Sequence, residues 1–152
     1  MLSKKAKYSI KALIALGKNI DSAPMRVAKI SEQENIPEKY LSVILLELRN
    51  AGYVHSKKGV GGGFSLSKFP EDIFLDSIVR FVDGPIARVA CASTYHYHRC
   101  EECPVEATCS IREMYLEIRA AELEVLSKTS VADMINKEKE LAEILLNKDL
   151  SA

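Results

Sequence analysis

No apolar run in this 152-residue chain approaches the ~20 residues that cross a bilayer, so a membrane span is excluded. The basic opening, Met-Leu-Ser-Lys-Lys-Ala-Lys, is followed by no continuous apolar stretch and no small-residue cleavage site, because Lys11 and Lys18 interrupt it. A signal peptide is not expected, and a cytoplasmic, reducing location is. Internal repeats and low-complexity segments are absent. No serine or cysteine nucleophile stands with a spaced histidine and carboxylate, and no glycine motif of a nucleotide site occurs, which argues against an enzyme. Cysteine is missing outside residues 91–109. Four thiols gathered there, in a reducing compartment, suggest metal or redox chemistry more than structural disulfides. With 47% apolar and 28% charged residues, the composition is that of a soluble globular domain able to bury a core unaided.

Net charge is also missing, at +0, but the zero hides a division. Residues 1–68 carry 12 Lys and Arg against 5 Asp and Glu, and residues 69–152 carry 9 against 16. A basic half beside an acidic half is the pattern of a protein of which one part meets a polyanion. Chance clustering produces the same balance, so charge alone does not decide it.

Ile10, Leu13, Ile14 and Leu16 among Lys4, Lys5, Lys7 and Lys11 predict an amphipathic helix over 3–18 with a basic leading end. Such an end suits phosphate, although a lysine face on a packing helix has the same pattern. Asp21-Ser-Ala-Pro24 breaks the chain. A short helix follows over 26–33, with Val27, Ala28 and Ile30 inward. Asn35-Ile36-Pro37 turns into a helix over 37–50 with the stripe Tyr40, Leu41, Ile44, Leu45 and Leu48, and Gly52 stops it in a left-handed conformation. Short helix, tight turn and longer helix make a helix-turn-helix, a pattern that helical bundles share.

Two strands, Tyr53 to Ser56 and Phe64 to Ser67, flank Lys57-Lys58-Gly59-Val60-Gly61-Gly62-Gly63. A hairpin directly after a helix-turn-helix is a wing. Its glycines let backbone approach a sugar-phosphate edge and its lysines supply counter-charge. A nucleotide phosphate cradle would need Lys-Ser/Thr after the last glycine and a helix beyond; Phe64 and a strand stand there instead. His55 reads as a packing or surface residue. Beyond the cysteines, Ser110 to Leu126 is the longest periodic helix: Ile111, Ile118 and Val125 repeat at seven, with Met114, Tyr115 and Ala121 between. The stripe is a packing seam, within the chain or against a second copy. Thr129-Ser130-Val-Ala-Asp133 looks like a capping box opening a last helix, with Val131, Met134, Ile135, Leu141, Ile144 and Leu145 inward. The expected fold is mainly α: a winged helix-turn-helix DNA-binding domain with a β-hairpin wing over 1–84, a cysteine-rich loop over 85–109, and a long dimerisation helix with a C-terminal helix over 110–152.

Ala6-Lys7-Tyr8-Ser9-Ile10-Lys11-Ala12-Leu13, Pro37-Glu-Lys-Tyr40-Leu41, Leu48-Arg49-Asn50-Ala51-Gly52-Tyr53-Val54 and Lys58-Gly59-Val60-Gly61-Gly62-Gly63-Phe64 resemble the Rrf-two family of bacterial winged-helix regulators, of the IscR and NsrR type. Residues 70–84 resemble that family's next helix, which leads into its cysteine loop. The resemblance implies a homodimer, crossing through helix 110–126, on a two-fold operator in double-stranded DNA. It implies that Lys39, Tyr40, Ser42 and Val43 face the major groove, although Tyr40 and Val43 also fit as core. Lys58, beside Gly59, stands where a wing arginine enters the minor groove; lysine keeps the charge and loses the planar fork. Ser42 and Val43 can touch a thymine methyl but cannot make bidentate base contacts. Affinity is therefore expected from phosphate contacts by lysines such as Lys4, Lys5, Lys7, Lys57 and Lys58.

Within 91–109, Cys100-Glu-Glu-Cys103 can place two sulfurs on one ion. Cys109 opens the long helix, whose N-terminus favours a thiolate. Soft thiolates suit zinc and iron–sulfur clusters alike. The resemblance adds a cluster held by three cysteines, the last two five residues apart. Cys103 and Cys109 match that spacing, Cys91 stands for the first, and Cys100 is additional. The family's fourth ligand is a histidine three residues after the last cysteine, where this chain has Arg112, or a partner carboxylate near the N-terminus, where it has Tyr8. Cys100 is the best fourth ligand, with His96 or His98 in reserve. The expected cofactor is an iron–sulfur cluster, two-iron or four-iron ([2Fe-2S] or [4Fe-4S]), in a sensor of iron–sulfur, redox or reactive-gas status. A four-cysteine zinc site, a thiol switch between Cys100 and Cys103, and a metal-bearing protein-interaction module without DNA function are the alternatives. Arg112 reads as a salt-bridge or surface residue.

Overall fold

The computed structural model describes residues 2–149. The chain runs α1 (Lys4–Gly17), α2 (Val27–Glu34), α3 (Glu38–Asn50), β1 (Val54–Lys57), β2 (Gly63–Leu66), α4 (Leu75–Asp83), α5 (Ser110–Leu126) and α6 (Val131–Asp149). Residue 1 and residues 150–152, at the ends of the first and third expected segments, lie outside the described residues.

Ser3 starts α1: its hydroxyl accepts the Ala6 N–H at 3.0 Å, closing one of the donors that a helix start leaves open. The apolar face of α1, with Leu13, Ile14 and Leu16 buried, is the strut on which α2, α3, α4 and α6 pack. Asn35 ends α2 in the left-handed region at φ 51, a conformation asparagine tolerates better than most residues. Ile36 drops into the core directly after it. Leu41, Ile44, Leu45 and Leu48 bury the inner face of α3, and Gly52 at φ 78 turns the chain into β1 as predicted. The stripe is narrower than expected. Tyr40 lies at the rim and Ala28 of α2 is exposed, because each sits one step off its helix's buried face.

β1 and β2 pair antiparallel, with Val54 opposite Leu66 and Lys57 opposite Gly63. Met25 bridges to β2 as an isolated antiparallel pair: it exchanges backbone hydrogen bonds with Phe64 at 2.9 and 2.8 Å. That close approach explains Gly63, where a Cβ would lie 2.4 Å from the Met25 carbonyl oxygen.

The helix expected over 70–84 is divided. Pro70–Asp72 is a 3₁₀ turn, Ile73 and Phe74 are extended, and α4 begins at Leu75. The extended pair serves the C-terminal region. Leu75 N–H donates to Thr129 and Val131 N–H to Ile73, both at 2.9 Å, tying the start of α6 to the start of α4. The capping box runs from Ser130 to Asp133: the Ser130 N–H and hydroxyl both donate to the Asp133 carboxylate, and the Asp133 N–H donates back to the hydroxyl. Val131 and Ile135 then enter the α1 core. Leu141, Ile144 and Leu145, expected inward, are 51–62% exposed. The reason is length: Glu138 pairs with Lys18, just past the end of α1, and α6 continues beyond its support.

Candidate functional site

The candidate DNA-contacting residues come from α1, α3 and the hairpin. Lys39, Tyr40 and Val43 lie on the exposed side of α3, and the Tyr40 ring meets Tyr8 of α1 edge-on, 5.9 Å between centroids. The core alternative for Val43 fails, since half of it is exposed. Ser42 is half-buried and its hydroxyl donates to the Glu38 carbonyl at 2.9 Å, so that donor is already used by its own helix. Lys4 and Lys7 are exposed; Lys5 is paired with Glu47 of α3 at 2.6 Å. Lys57, Lys58 and Gly59 are exposed along the wing, whose tip is closed by the Gly62 N–H on the Gly59 carbonyl at 3.0 Å. Val60 at that tip is entirely exposed, a feature the charge pattern did not single out. His55 is a surface residue.

The cysteine loop is irregular, with short 3₁₀ turns at Ala90–Ala92 and Glu106–Thr108. Its two arms meet over the first turn of α5. All four cysteines are half-buried free thiols around one cavity of about 330 Å³, together with His98, Glu106 and Arg112. His96 lies outside it, on a neighbouring depression with Asp83. The thiols surround a space rather than a point: among the described residues, no three His, Cys, Asp or Glu side chains converge to hold a single metal ion.

Cys109 caps α5. Its sulfur accepts the Arg112 N–H at 3.5 Å, and this bond above all holds its thiol below the ordinary cysteine value. Cys103 is shifted the other way, by desolvation first and then by the adjacent Cys109 sulfur. Of these two neighbours, Cys109 ionises first.

Polar side chains of the helices pin the loop. The Arg112 Nε donates to the Cys91 carbonyl at 3.1 Å and pairs with Glu106 at 2.7 Å. Arg119 of α5 donates to the Thr94 hydroxyl, Arg80 of α4 lies 5.5 Å from the Tyr95 ring centroid, and the Tyr97 hydroxyl donates to Glu106. The sequence singled out the cysteines but not these arginines. Arg112 stood out only as a departure from a family pattern, and nothing in local spacing ties Arg80 or Arg119 to residues 94 and 95.

A helix-turn-helix, a glycine-tipped hairpin bridged to Met25, and a cysteine loop between helices define a winged-helix DNA-binding protein. Residues 2–137 match the Rrf2 family, described as iron-dependent transcriptional regulators, and the chain belongs to that family. An rrf2-like HTH-type transcriptional regulator of Rhodobacter capsulatus is 34% identical over 148 residues, 95% of this chain and 99% of that one. The structure of CymR, the global cysteine regulator of B. subtilis, is similar with a TM-score of 0.75 and 31% identity, over 90% of this chain and 97% of that one. That of T. potens IscR is similar with a TM-score of 0.71 and 25% identity, over 93% and 90%. The chain is a DNA-binding transcriptional regulator of this family, not an enzyme. No helix among the described residues is long and apolar enough to cross a membrane.

Proposed function

We propose that this regulator is a cytoplasmic homodimer that reads a two-fold operator and reports iron–sulfur, redox or reactive-gas status through an iron–sulfur cluster on Cys91, Cys100, Cys103 and Cys109. The observation that carries the reading is the shared cavity: four thiols from two arms of an otherwise irregular loop line about 330 Å³ beside the Arg112 guanidinium. Zinc needs four sulfurs about 2.3 Å from one point. Thiols spread around a volume suit a group of several atoms better. The donor set fits as well, since thiolates are the ordinary ligands of such clusters and a nearby cation offsets their negative charge. Bound there, a cluster would supply one-electron redox chemistry and sensitivity to oxidants.

The protein's own part is to turn the state of the loop into a change at the DNA. Cys109 is the cap residue of α5, and α5 exposes Ile111, Met114, Ile118 and Val125 along one side. That stripe supports a seam with the same helix of a second copy. A shift of the loop would then move α5 against its partner and alter the spacing of two α3 helices over an operator. Lys39, Tyr40, Ser42 and Val43 are the groove-facing residues of this reading. Lys4, Lys5, Lys7, Lys57, Lys58 and Gly59 are its phosphate and wing contacts. Ser42 and Lys5 contribute least, their polar groups being partly engaged within the protein.

Anaerobically purified protein is expected to be brown, with visible charge-transfer absorption, iron and acid-labile sulfide, and Cys103→Ala is expected to lose the cluster. Colourless protein with one zinc per chain would establish the zinc alternative. A Cys103→Ala protein with a full cluster would sink the ligand assignment. A cluster-free thiol switch is the second reading, favoured by the adjacency of Cys103 and Cys109 at the start of α5. It predicts iron-free protein in which these two cysteines, rather than Cys100 and Cys103, become oxidant-sensitive together.

A further inference from the structure

Arg112 occupies an unusual place. It sits in the first turn of α5, is about 27% exposed, and lines the cavity that the four cysteines share. Its backbone N–H meets the Cys109 sulfur at 3.5 Å. Its side chain turns the other way, donating to the carbonyl of Cys91, 21 residues earlier, at 3.1 Å. The same guanidinium pairs with Glu106, between Cys103 and Cys109, at 2.7 Å. One residue therefore touches the first cysteine, the last cysteine and the segment between the last two. Other side-chain contacts on the first arm fall to either side of Cys91, at Arg88, which pairs with Glu122 of α5 at 3.8 Å, and at Ser93, Thr94 and Tyr95.

We infer that Arg112 is the positioning residue of the cysteine site, holding the Cys91 arm of the loop against the arm that carries Cys100, Cys103 and Cys109. The inference rests on the reading of this loop as the cluster site. The physical need is clear. Cys100, Cys103 and Cys109 are close in sequence, whereas Cys91 must be brought in across an irregular segment with little buried surface. Both contacts fall on Nε: its N–H donates to the Cys91 carbonyl, and the same end of the planar, delocalised cation pairs with Glu106; an ammonium is a compact point charge on a flexible stem and does not hold that planar placement. Contacts that orient a metal's ligands typically contribute 10–100-fold to its retention when removed one at a time.

The test separates this role from simple charge balance and from the cluster reading itself. In the iron-free, reduced protein, Arg112→Ala is expected to raise the alkylation rate of Cys91 several-fold relative to Cys100, followed by mass mapping of each cysteine. In anaerobic protein, the same variant is expected to lose iron to a chelator ~10–100-fold faster and to show an altered visible spectrum, with its melting temperature nearly unchanged. Arg112→Lys, which keeps the charge, is expected to behave like Arg112→Ala; full rescue by lysine would overturn the positioning role. Unchanged Cys91 reactivity in Arg112→Ala would overturn it too. If wild-type protein holds no iron, the cluster reading fails, and the alkylation comparison still decides whether Arg112 places Cys91.

Discussion

The DNA-reading half and the cysteine loop are held together by different forces. Every helix of the reading half contributes fully or nearly fully buried apolar side chains to one cluster: Leu13 and Leu16 from α1, Ile30 from α2, Leu41 and Leu45 from α3, Ile78 from α4. Residues 91–109 bury only Ala92 and Ser93, and no residue of α5 is fully buried. What holds the loop is polar and long-reaching: Arg112 on Cys91 and Glu106, Arg119 on Thr94, Arg80 over Tyr95. Apolar burial is non-directional and cooperative, so it yields a rigid body; partly exposed polar contacts are weak singly and break one at a time. A region with few buried contacts opens locally at low free energy. That difference supports the proposed reading, in which the loop's arrangement follows what its thiols hold while the frame stays rigid.

The contrast breaks most visibly at Leu45. Leu45→Ala, at a fully buried core position, is expected to lower the unfolding free energy by ~2–5 kcal/mol. Tyr95→Ala in the loop, where the ring is exposed, is expected to cost less than ~1 kcal/mol. Urea titrations of the two variants give the comparison directly, and a loop substitution as costly as the core one would contradict it.

The next test falls where the two halves of the chain join. Ser130→Ala removes the cap of α6 and is expected to cost ~1 kcal/mol. The capping bonds from Ser130 hold the Asp133 carboxyl below its ordinary value. The stability this provides is complete above the unfolded carboxylate value of ~4 and is lost as pH falls through the lower native one. Wild type should therefore lose this increment on acidification, whereas Asp133→Asn should lack it at every pH; melting curves from pH 7 to 3 measure both. The smallest effect belongs to the wing. Lys58→Ala is expected to reduce the slope of log affinity against log salt by ~1 without altering the melting temperature, as read by DNA binding at several salt concentrations.

Much of this architecture was legible in the residues. The periodicity of 110–126 matched α5 residue for residue, Gly52 and Asp21 to Pro24 marked real breaks, and the glycine-rich stretch fell at a hairpin tip. Local rules govern such features, so local sequence reports them. Legibility failed where a neighbour decides. Periodicity made Leu141, Ile144 and Leu145 inward, but α1 ends before α6 does. The 70–84 helix pattern did not reveal that Ile73 and Phe74 would extend to pair with residues 129–131. In the candidate site, the cysteines and the place of Cys109 at the start of the long helix could be read directly, whereas its capping bond and the positions of Arg112, Arg119 and Arg80 over the loop could not.

By itself, then, the sequence determined the order of helices and hairpin, the division of charge and the chemistry of the four thiols, because each depends on residue type and short-range spacing. Tertiary structure decided which of those groups meet. It set Cys91 beside the other three cysteines, turned His98 toward the cavity and His96 away, and drew Arg112 onto Cys91 and Glu106, 15 residues apart in the chain. It also left one side of α5 and the far end of α6 apolar and uncovered. Contacts across such separations depend on how whole elements pack, and no local pattern carries that information.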